Sequence, residues 1–319
     1  MMSIVGRFAP SPTGDLHLGS LITAVASYCA AKQQGGTWLV RMEDTDTDRC
    51  KRDFADNILH DLARLGLGWD GEIRYQTEHL AEYHQAIDLL ASKNLVYGCN
   101  CSRKQIETFY LAHSLASSLT TSTPSNTLSS LPVSPYPYPR LCLHKQLTLE
   151  NNAVRLILPD YLMGFYDNLQ GNQWQNPQRS DSDIVLRRRD GMINYMLAAV
   201  ADDGVQGVNQ IVRGLDILPL TLPQKCLAED LDLPAIQYYA HLPILVNAKG
   251  QKLSKQTLAE PIKNYPASDL LAVAFGLLQQ PVDKDTPERM LAQGVTNWDF
   301  TPLQGQKQII VPDKISDFL

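Results

Sequence analysis

Near its start the chain reads Ile4-Val-Gly-Arg-Phe-Ala-Pro-Ser-Pro-Thr-Gly-Asp-Leu-His-Leu-Gly-Ser20. The apolar beginning predicts a short strand, and the prolines and glycine that follow prevent regular structure. Residues 21–31 then predict a helix. The start of a helix presents unpaired backbone N–H groups and a positive dipole end, which suits a phosphate group. The stretch has neither the G-x-G-x-x-G pattern of dinucleotide sites nor the G-K-[ST] ending of a Walker loop.

A second strand is predicted at residues 37–42, and it is followed by Glu43 and Asp44. A strand–helix–strand unit favours a parallel sheet covered by helices, so we expect an α/β fold. Ligands of such sheets bind at the carboxyl ends of the strands. The Pro/Gly loop and Glu43 both fall at such ends.

The rest of the chain alternates between predicted helices and strands. Thr77 is expected to cap a helix that runs to residue 91, whereas periodicity does not decide between helix and strand for residues 193–201. Residues 114–139 are rich in Ser, Thr and Pro and predict an irregular insertion. The other predicted helices are 54–65, 222–230, 269–278 and 288–292, and the other predicted strands are 95–97, 153–158, 163–169, 183–188, 210–213 and 244–246.

Composition limits the classes of protein to which the chain can belong. Of its 319 residues, 44% are hydrophobic and 19% are charged, which is typical of a soluble globular protein. The net charge of −6 gives no overall basic character, so a nucleic-acid partner would have to use a local basic face. No apolar run is long enough for a membrane span, and no signal peptide is evident. Cys99-x-Cys101 favours a metal site in a reducing compartment, and we expect a cytoplasmic monomer.

Two separated motifs resemble the signatures of class I aminoacyl-tRNA synthetases. His17-Leu-Gly-Ser20 resembles the HIGH signature, and Lys252-Leu-Ser-Lys-Gln256 resembles the KMSKS loop. Residues 6–14, Arg41-Met-Glu-Asp-Thr-Asp46 and Val212-Arg-Gly-Leu-Asp216 resemble the glutamyl branch. We expect no large helical anticodon-binding region in a chain of this length, and the pattern is therefore similar to that of the glutamyl-Q tRNA(Asp) synthetase family. Three positions depart from the signatures, namely Ser20, Leu253 and Gln256.

The resemblance implies a class I synthetase fold, a HUP or Rossmann-like parallel-sheet catalytic domain. This domain is expected to carry a small zinc-bearing insertion and a short helical C-terminal extension. We expect the two halves of the catalytic domain at residues 1–97 and 146–260, the insertion at 98–145 and the extension at 261–319.

The resemblance also implies an activity: ATP activates L-glutamate to glutamyl-adenylate, and glutamate is transferred to the queuosine base in the anticodon of tRNA(Asp). Mg²⁺ accompanies the ATP. The catalytic residues are expected to be His17 and Lys255. The ATP-binding residues are expected to be His17, Gly19, Ser20, Lys252, Ser254 and Lys255. The glutamate-binding residues are expected to be Arg7, Phe8, Ala9, Pro10, Ser11, Glu43, Tyr195 and Arg213.

Glutamate chemistry fits these residue types. Arg7 and Arg213 suit carboxylates because a guanidinium binds a carboxylate through two hydrogen bonds, and Glu43 suits the amine. Tyr195 lies in an apolar run, so a position in the core is an alternative for it. Alternative functions are a glutamyl-tRNA synthetase without its own anticodon-binding domain, a non-catalytic tRNA-binding relative, and a nucleotidylyltransferase that uses another acid.

One structural zinc ion is implied, with Cys99, Cys101, Tyr138 and Cys142 as its ligands. Three thiolates and one oxygen would form a closed tetrahedral site. His144, His113 and Tyr136 are alternatives to Tyr138 as the fourth ligand. Three free thiols without a metal are the other interpretation of this cluster.

Overall fold

The computed structural model describes residues 3–116, 137–252, 260–312 and 314–318. The strands in these ranges are β1 (Val5–Phe8), β2 (Thr37–Met42), β3 (Arg74–Tyr75), β4 (Val96–Cys99), β5 (Ala153–Leu156), β6 (Met163–Asp167), β7 (Gly171–Gln175), β8 (Val185–Arg187), β9 (Gln210–Gly214), β10 (Tyr238–Leu242), β11 (Ile244–Val246) and β12 (Gln308–Ile310). The helices are α1 (Leu18–Lys32), α2 (Arg52–Arg64), α3 (Leu80–Ser92), α4 (Arg103–Ala116), α5 (Pro177–Ser180), α6 (Tyr195–Val205), α7 (Thr221–Asp230), α8 (Ala267–Leu277) and α9 (Pro287–Asn297).

The central sheet contains five strands in the order β10-β9-β1-β2-β3, and every neighbouring pair is parallel. Strands β2 and β3 extend the sheet on one side of β1, and β9 and β10 extend it on the other. The strand order therefore reverses beside β1. In open parallel sheets a crevice forms at this reversal, outside the carboxyl ends of the strands.

Helix α1 packs against β1, β2 and β9 and, on its other side, against α8 and α9. It is rich in alanine, and the sheet approaches it closely: a Cβ atom at Gly6 of β1 would lie 3.0 Å from that of Ala31. At Gly36, before β2, a Cβ atom would lie 2.7 Å from the carbonyl oxygen of Ile4 and 2.9 Å from that of Ala31. This packing fixes the amino end of α1 at the carboxyl edge of the sheet.

A second layer lies beyond the central sheet. Strands β4, β5 and β8 form an antiparallel sheet whose apolar face packs with α3, α6 and α7. The β6–β7 hairpin contacts β10 at the edge of the central sheet. Helix α6 thus has its first residue at the central cleft and its body in this second core. None of the described helices combines the length and the apolar character that crossing a bilayer requires.

Most predicted elements are confirmed, and the differences have physical causes. Residues 193–201 lie mainly in α6, because this apolar run is buried between two layers. The expectation for Thr77 is wrong: its N–H and hydroxyl both donate to Asp44, at 2.9 and 2.7 Å, and α3 begins at Leu80 after a turn of 3₁₀ helix. The sequence interpretation missed β3, β7, β10, β12, α4 and α5, and residues 117–136 of the predicted insertion lie outside the described residues.

Candidate active site

A cleft of about 310 Å³ opens at the carboxyl ends of β1 and β9, where the strand order reverses. The loop after β1, the first turn of α1 and the start of α6 form its walls. The structure brings together in this cleft the following residues that the sequence predicted for glutamate or ATP: Arg7, Phe8, Ala9, Pro10, Ser11, His17, Gly19, Ser20, Glu43, Tyr195, Arg213 and Lys252. Ser254 and Lys255 lie outside the described residues.

His17 caps the amino end of α1. Its Nδ1 accepts a hydrogen bond from the N–H of Ser20 at 3.3 Å, and the Ser20 hydroxyl lies 3.3 Å from Nε2. No acidic side chain occupies the first turn of this 15-residue helix. The positive end of the helix dipole faces the cleft beside the His17 imidazole and the Ser20 hydroxyl, and no carboxylate of the first turn offsets it. This environment suits a phosphate group.

A network of buried charges forms the wall at the end of β2. The Arg41 guanidinium is completely buried and lies 2.8 Å from Asp203 and 3.3 Å from Glu43. Arg7 lies 3.3 Å from the same oxygen of Asp203. Burial raises the pKa of Glu43 to about 7, although Arg41 and Arg7 oppose this shift. Asp203, which is also buried, has a lowered pKa because the two arginines outweigh its desolvation.

Arg213, on β9, has different surroundings. Among the described residues its hydrogen-bond partners are neutral side chains: Gln224 at 2.7 Å, Thr221 at 2.8 Å and His241 at 3.0 Å. Among the described residues, therefore, no carboxylate forms a direct ion pair with Arg213. A buried cation of this kind favours an anionic ligand.

Tyr195 is the first residue of α6, and Asn194 caps that helix by accepting from the N–H of Met196 at 3.0 Å. Burial and the nearby Glu43 raise the pKa of Tyr195, so it is a neutral hydroxyl at the cleft. This placement excludes a position in the apolar core. On the opposite wall, Lys252 lies 2.7 Å from Asp216.

The predicted metal ligands converge away from the cleft. The sulfur atoms of Cys99, Cys101 and Cys142 all lie within 4.8 Å of one another, so the three thiols could bind a metal ion. The Tyr138 hydroxyl lies 3.3 Å from the Cys99 sulfur and 3.7 Å from that of Cys101. His144 is exposed and is not part of this cluster. Tyr136 and the side chain of His113 lie outside the described residues.

Comparison with known proteins agrees with this architecture. The model of the family "tRNA synthetases class I (E and Q), catalytic domain" matches residues 3–276. A glutamyl-Q tRNA(Asp) synthetase of Acinetobacter baylyi is 42% identical over 306 residues, covering 96% of this chain and 96% of that relative. The chain belongs to this family of class I synthetases. A second member, from Neisseria meningitidis serogroup B, is 42% identical over 301 residues, covering 92% of this chain and 95% of its own length.

The class I synthetase fold is also found in a solved structure. A glutamate tRNA ligase from Elizabethkingia meningosepticum, in complex with its amino acid, superposes with a TM-score of 0.75. The similarity covers 99% of this chain and 69% of that one at 23% identity, so it supports the fold alone.

The structure adds cleft residues and supporting residues that the sequence interpretation did not assign. Asp203, Thr221, Gln224, Asp167 and His241 hold the charged residues of the cleft in place. Most of them belong to elements far apart in the chain. Of the elements that the sequence interpretation missed, β10 carried a local signal that favours a strand, the pair Tyr238 and Tyr239.

Proposed function

We propose that this member of the family activates L-glutamate with ATP and transfers the glutamyl group to the queuosine base of tRNA(Asp). The proposal rests on the groups that line one cleft. It combines a helix start suited to phosphate with a cation, Arg213, and an anion, Glu43, that match the side-chain carboxylate and the ammonium group of glutamate. The names of the relatives from Acinetobacter baylyi and Neisseria meningitidis support the choice of glutamate and of tRNA(Asp).

Glutamate is held by charge pairing and by neutral hydrogen bonds. Arg213 binds the side-chain carboxylate of the substrate, and Glu43 in its ionised form binds the ammonium group. Arg7 provides a second positive charge, partly offset by Asp203. Ser11 and Tyr195 donate neutral hydrogen bonds, while Phe8, Ala9 and Pro10 form the backbone wall. Glutamine binds poorly because its amide leaves the guanidinium unpaired.

In the first step, a carboxylate oxygen of glutamate bonds to the α-phosphorus of ATP, and pyrophosphate leaves with the electrons of the broken P–O bond. His17, Gly19 and Ser20 bind the phosphates at the start of α1, and Lys252, Ser254 and Lys255 complete the ATP site. Negative charge builds up on the phosphate oxygens, and His17 and Lys255 stabilise it. Mg²⁺ bound to the phosphates offsets further negative charge. In the second step a hydroxyl oxygen of the modified base bonds to the carbonyl carbon of the adenylate and loses its proton to solvent, and AMP leaves with the electrons of the broken C–O bond.

Cys99, Cys101, Cys142 and Tyr138 are proposed to hold one zinc ion. The three sulfur atoms and the phenol oxygen provide the four ligands of a closed structural site. The Tyr138 ring packs under the guanidinium of Arg155 at 3.7 Å, which fixes the orientation of the phenol. Zinc bound here would connect the end of β4 and the residues that follow it to residues 138–142, and it would take no part in the reaction. The protein is proposed to act as a monomer in the cytoplasm. That compartment is reducing and keeps the thiols of the cysteine cluster available for a metal.

Two assays test the proposal. Glutamate-dependent exchange of pyrophosphate into ATP, measured without tRNA, is expected, and its absence would exclude an enzyme and favour a non-catalytic tRNA-binding relative. Exchange with a different acid instead of glutamate would indicate another nucleotidylyltransferase. Labelled glutamate is then offered with tRNA that carries or lacks queuosine. Labelling only with queuosine, with the label in the anticodon fragment after nuclease digestion of the tRNA, is the expected result, whereas label on the 3′-terminal fragment would identify a glutamyl-tRNA synthetase.

A further inference from the structure

Arg213 and His241 are directly opposed on neighbouring strands. The register of β9 and β10 pairs the two residues, so both side chains point to the same face of the sheet. The Nε–H of Arg213 donates to Nε2 of His241 at 3.0 Å, and the imidazole is completely buried. His241 thus fixes one edge of the guanidinium from behind the cleft.

Asp167, at the end of β6, holds the other side of the imidazole. Its Oδ2 lies 2.6 Å from Nδ1 of His241. Its Oδ1 accepts three backbone N–H groups, from Leu169 at 3.0 Å, Gln170 at 2.9 Å and His241 itself at 3.2 Å. Because these donors fix the carboxylate, Asp167 can only present Oδ2 to the ring.

These contacts determine the tautomer of His241. Arg213 has no acceptor, so Nε2 must carry a lone pair and the proton must be on Nδ1, donated to Asp167. Thr221 agrees with this assignment: its hydroxyl accepts from Arg213 at 2.8 Å and is therefore able to donate its own proton to Nε2, 3.2 Å away. Burial lowers the pKa of His241 to about 4, although Asp167 opposes the shift, so the ring is neutral near pH 7.

We propose that Asp167 and His241 are positioning residues that determine the selectivity of the cleft for a carboxylate substrate. They orient Arg213 through a neutral acceptor and leave its charge for the ligand. The proposal rests on the function proposed above. Arg7 shows the contrast, because Asp203 contacts it directly and offsets its charge. At Arg213 the compensating carboxylate is one imidazole away, so the guanidinium stays in place without losing its attraction for an anion.

The substitution Asp167→Asn tests this arrangement with almost no change in shape. The three backbone N–H groups require the amide oxygen at the Oδ1 position, so the amide NH₂ group must face Nδ1 of His241. Nδ1 then becomes the acceptor, and the ring proton moves to Nε2, where it opposes the Nε–H of Arg213. The same logic explains why a single Asp→Asn change disables a catalytic histidine in a serine protease.

Steady-state pyrophosphate exchange then gives the decisive parameters. For Asp167→Asn we expect the KM for glutamate to rise about 10- to 100-fold, the loss expected for a misoriented charged hydrogen bond. The KM for ATP and kcat should change less than about threefold, and discrimination between glutamate and glutamine should fall by about tenfold or more. Asp181→Asn is the matched control, because the Asp181 carboxylate also accepts from a side-chain N–H, that of Gln175, and does not line the cleft.

The outcomes separate this inference from the proposed function. Absence of exchange in the unsubstituted enzyme would refute the function itself. Normal exchange with an unchanged glutamate KM in Asp167→Asn would refute the inference alone, as would an equal rise in the KM for ATP, which a general structural defect would cause. Nitrogen NMR of the histidine-labelled, unsubstituted protein gives an independent test that needs no variant. A protonated Nδ1 and a bare Nε2 on His241 are expected, and the opposite tautomer would overturn the inference.

Discussion

The pH dependence of glutamate binding tests the role of Glu43 most directly. Its carboxylate is buried beside Arg41 and Arg7, and burial raises its pKa to about 7. If Glu43 binds the ammonium group of the substrate, only its ionised form can do so. That form makes up about one tenth of the enzyme at pH 6 and about nine tenths at pH 8, so the apparent KM for glutamate should be about tenfold higher at pH 6.

The neighbouring groups keep their charges over this range. The pKa of Asp203 is lowered and that of Arg41 is raised by their mutual attraction, which exceeds the cost of burial. His241 has a pKa of about 4 and stays neutral. Among the described groups with a resolved pKa shift around Glu43, the Glu43 carboxyl therefore titrates closest to pH 7.

Pyrophosphate exchange at pH 6, 7 and 8, with glutamate and ATP each varied, measures the effect. The variant Glu43→Gln is the control: its KM for glutamate should be high at every pH and should not change between pH 6 and 8. The KM for ATP reports other titrating groups, because ATP does not contact the amine site. A glutamate KM that is constant from pH 6 to 8 in the unsubstituted enzyme, or that changes equally in Glu43→Gln, would refute the assignment.

Three other changes have defined outcomes. Arg41→Met should lower the free energy of unfolding in urea by about 3–5 kcal/mol, because it leaves Glu43 and part of the charge on Asp203 uncompensated; a loss below about 1 kcal/mol would contradict the network. Lys255→Ala should slow adenylate formation about 100-fold in single-turnover experiments without shifting the thermal midpoint, and a normal rate would remove Lys255 from the site. Metal analysis should find about one zinc per chain and none in Cys142→Ser; protein purified without chelators that contains no zinc would exclude the site.

Local sequence features predicted the framework of the cleft. Prolines and a glycine between an apolar pair and a helical run require a loop, so Arg7 and His17 had to lie at the same end of a strand–helix unit. Glu43 follows the second strand for the same reason. The described cleft residues predicted from sequence are together because strand ends of a parallel sheet meet at one edge.

One expectation failed where a distant group competed with a local preference, and one run of sequence stayed undecided. Thr77 looked like a helix cap, but its polar groups bond to Asp44, 33 residues earlier. The apolar run around residues 193–201 had no decisive period, because α6 is buried on several sides by two layers. Single-sequence patterns report how much of a side chain is buried, but they do not report what buries it.

By itself, the sequence determined the class of fold, the loop that opens α1 and the positions of the charged residues at the cleft. Only the tertiary structure decided which charges are compensated. Asp203 reaches Arg7 across 196 positions, and Asp167 reaches His241 across 74. These pairs depend on the strand order, on the register of β9 with β10 and on the burial of α6 between two layers. Because the energy of a buried charge depends on its immediate neighbours, the difference between Arg7 and Arg213 could be seen only after folding had brought those neighbours together.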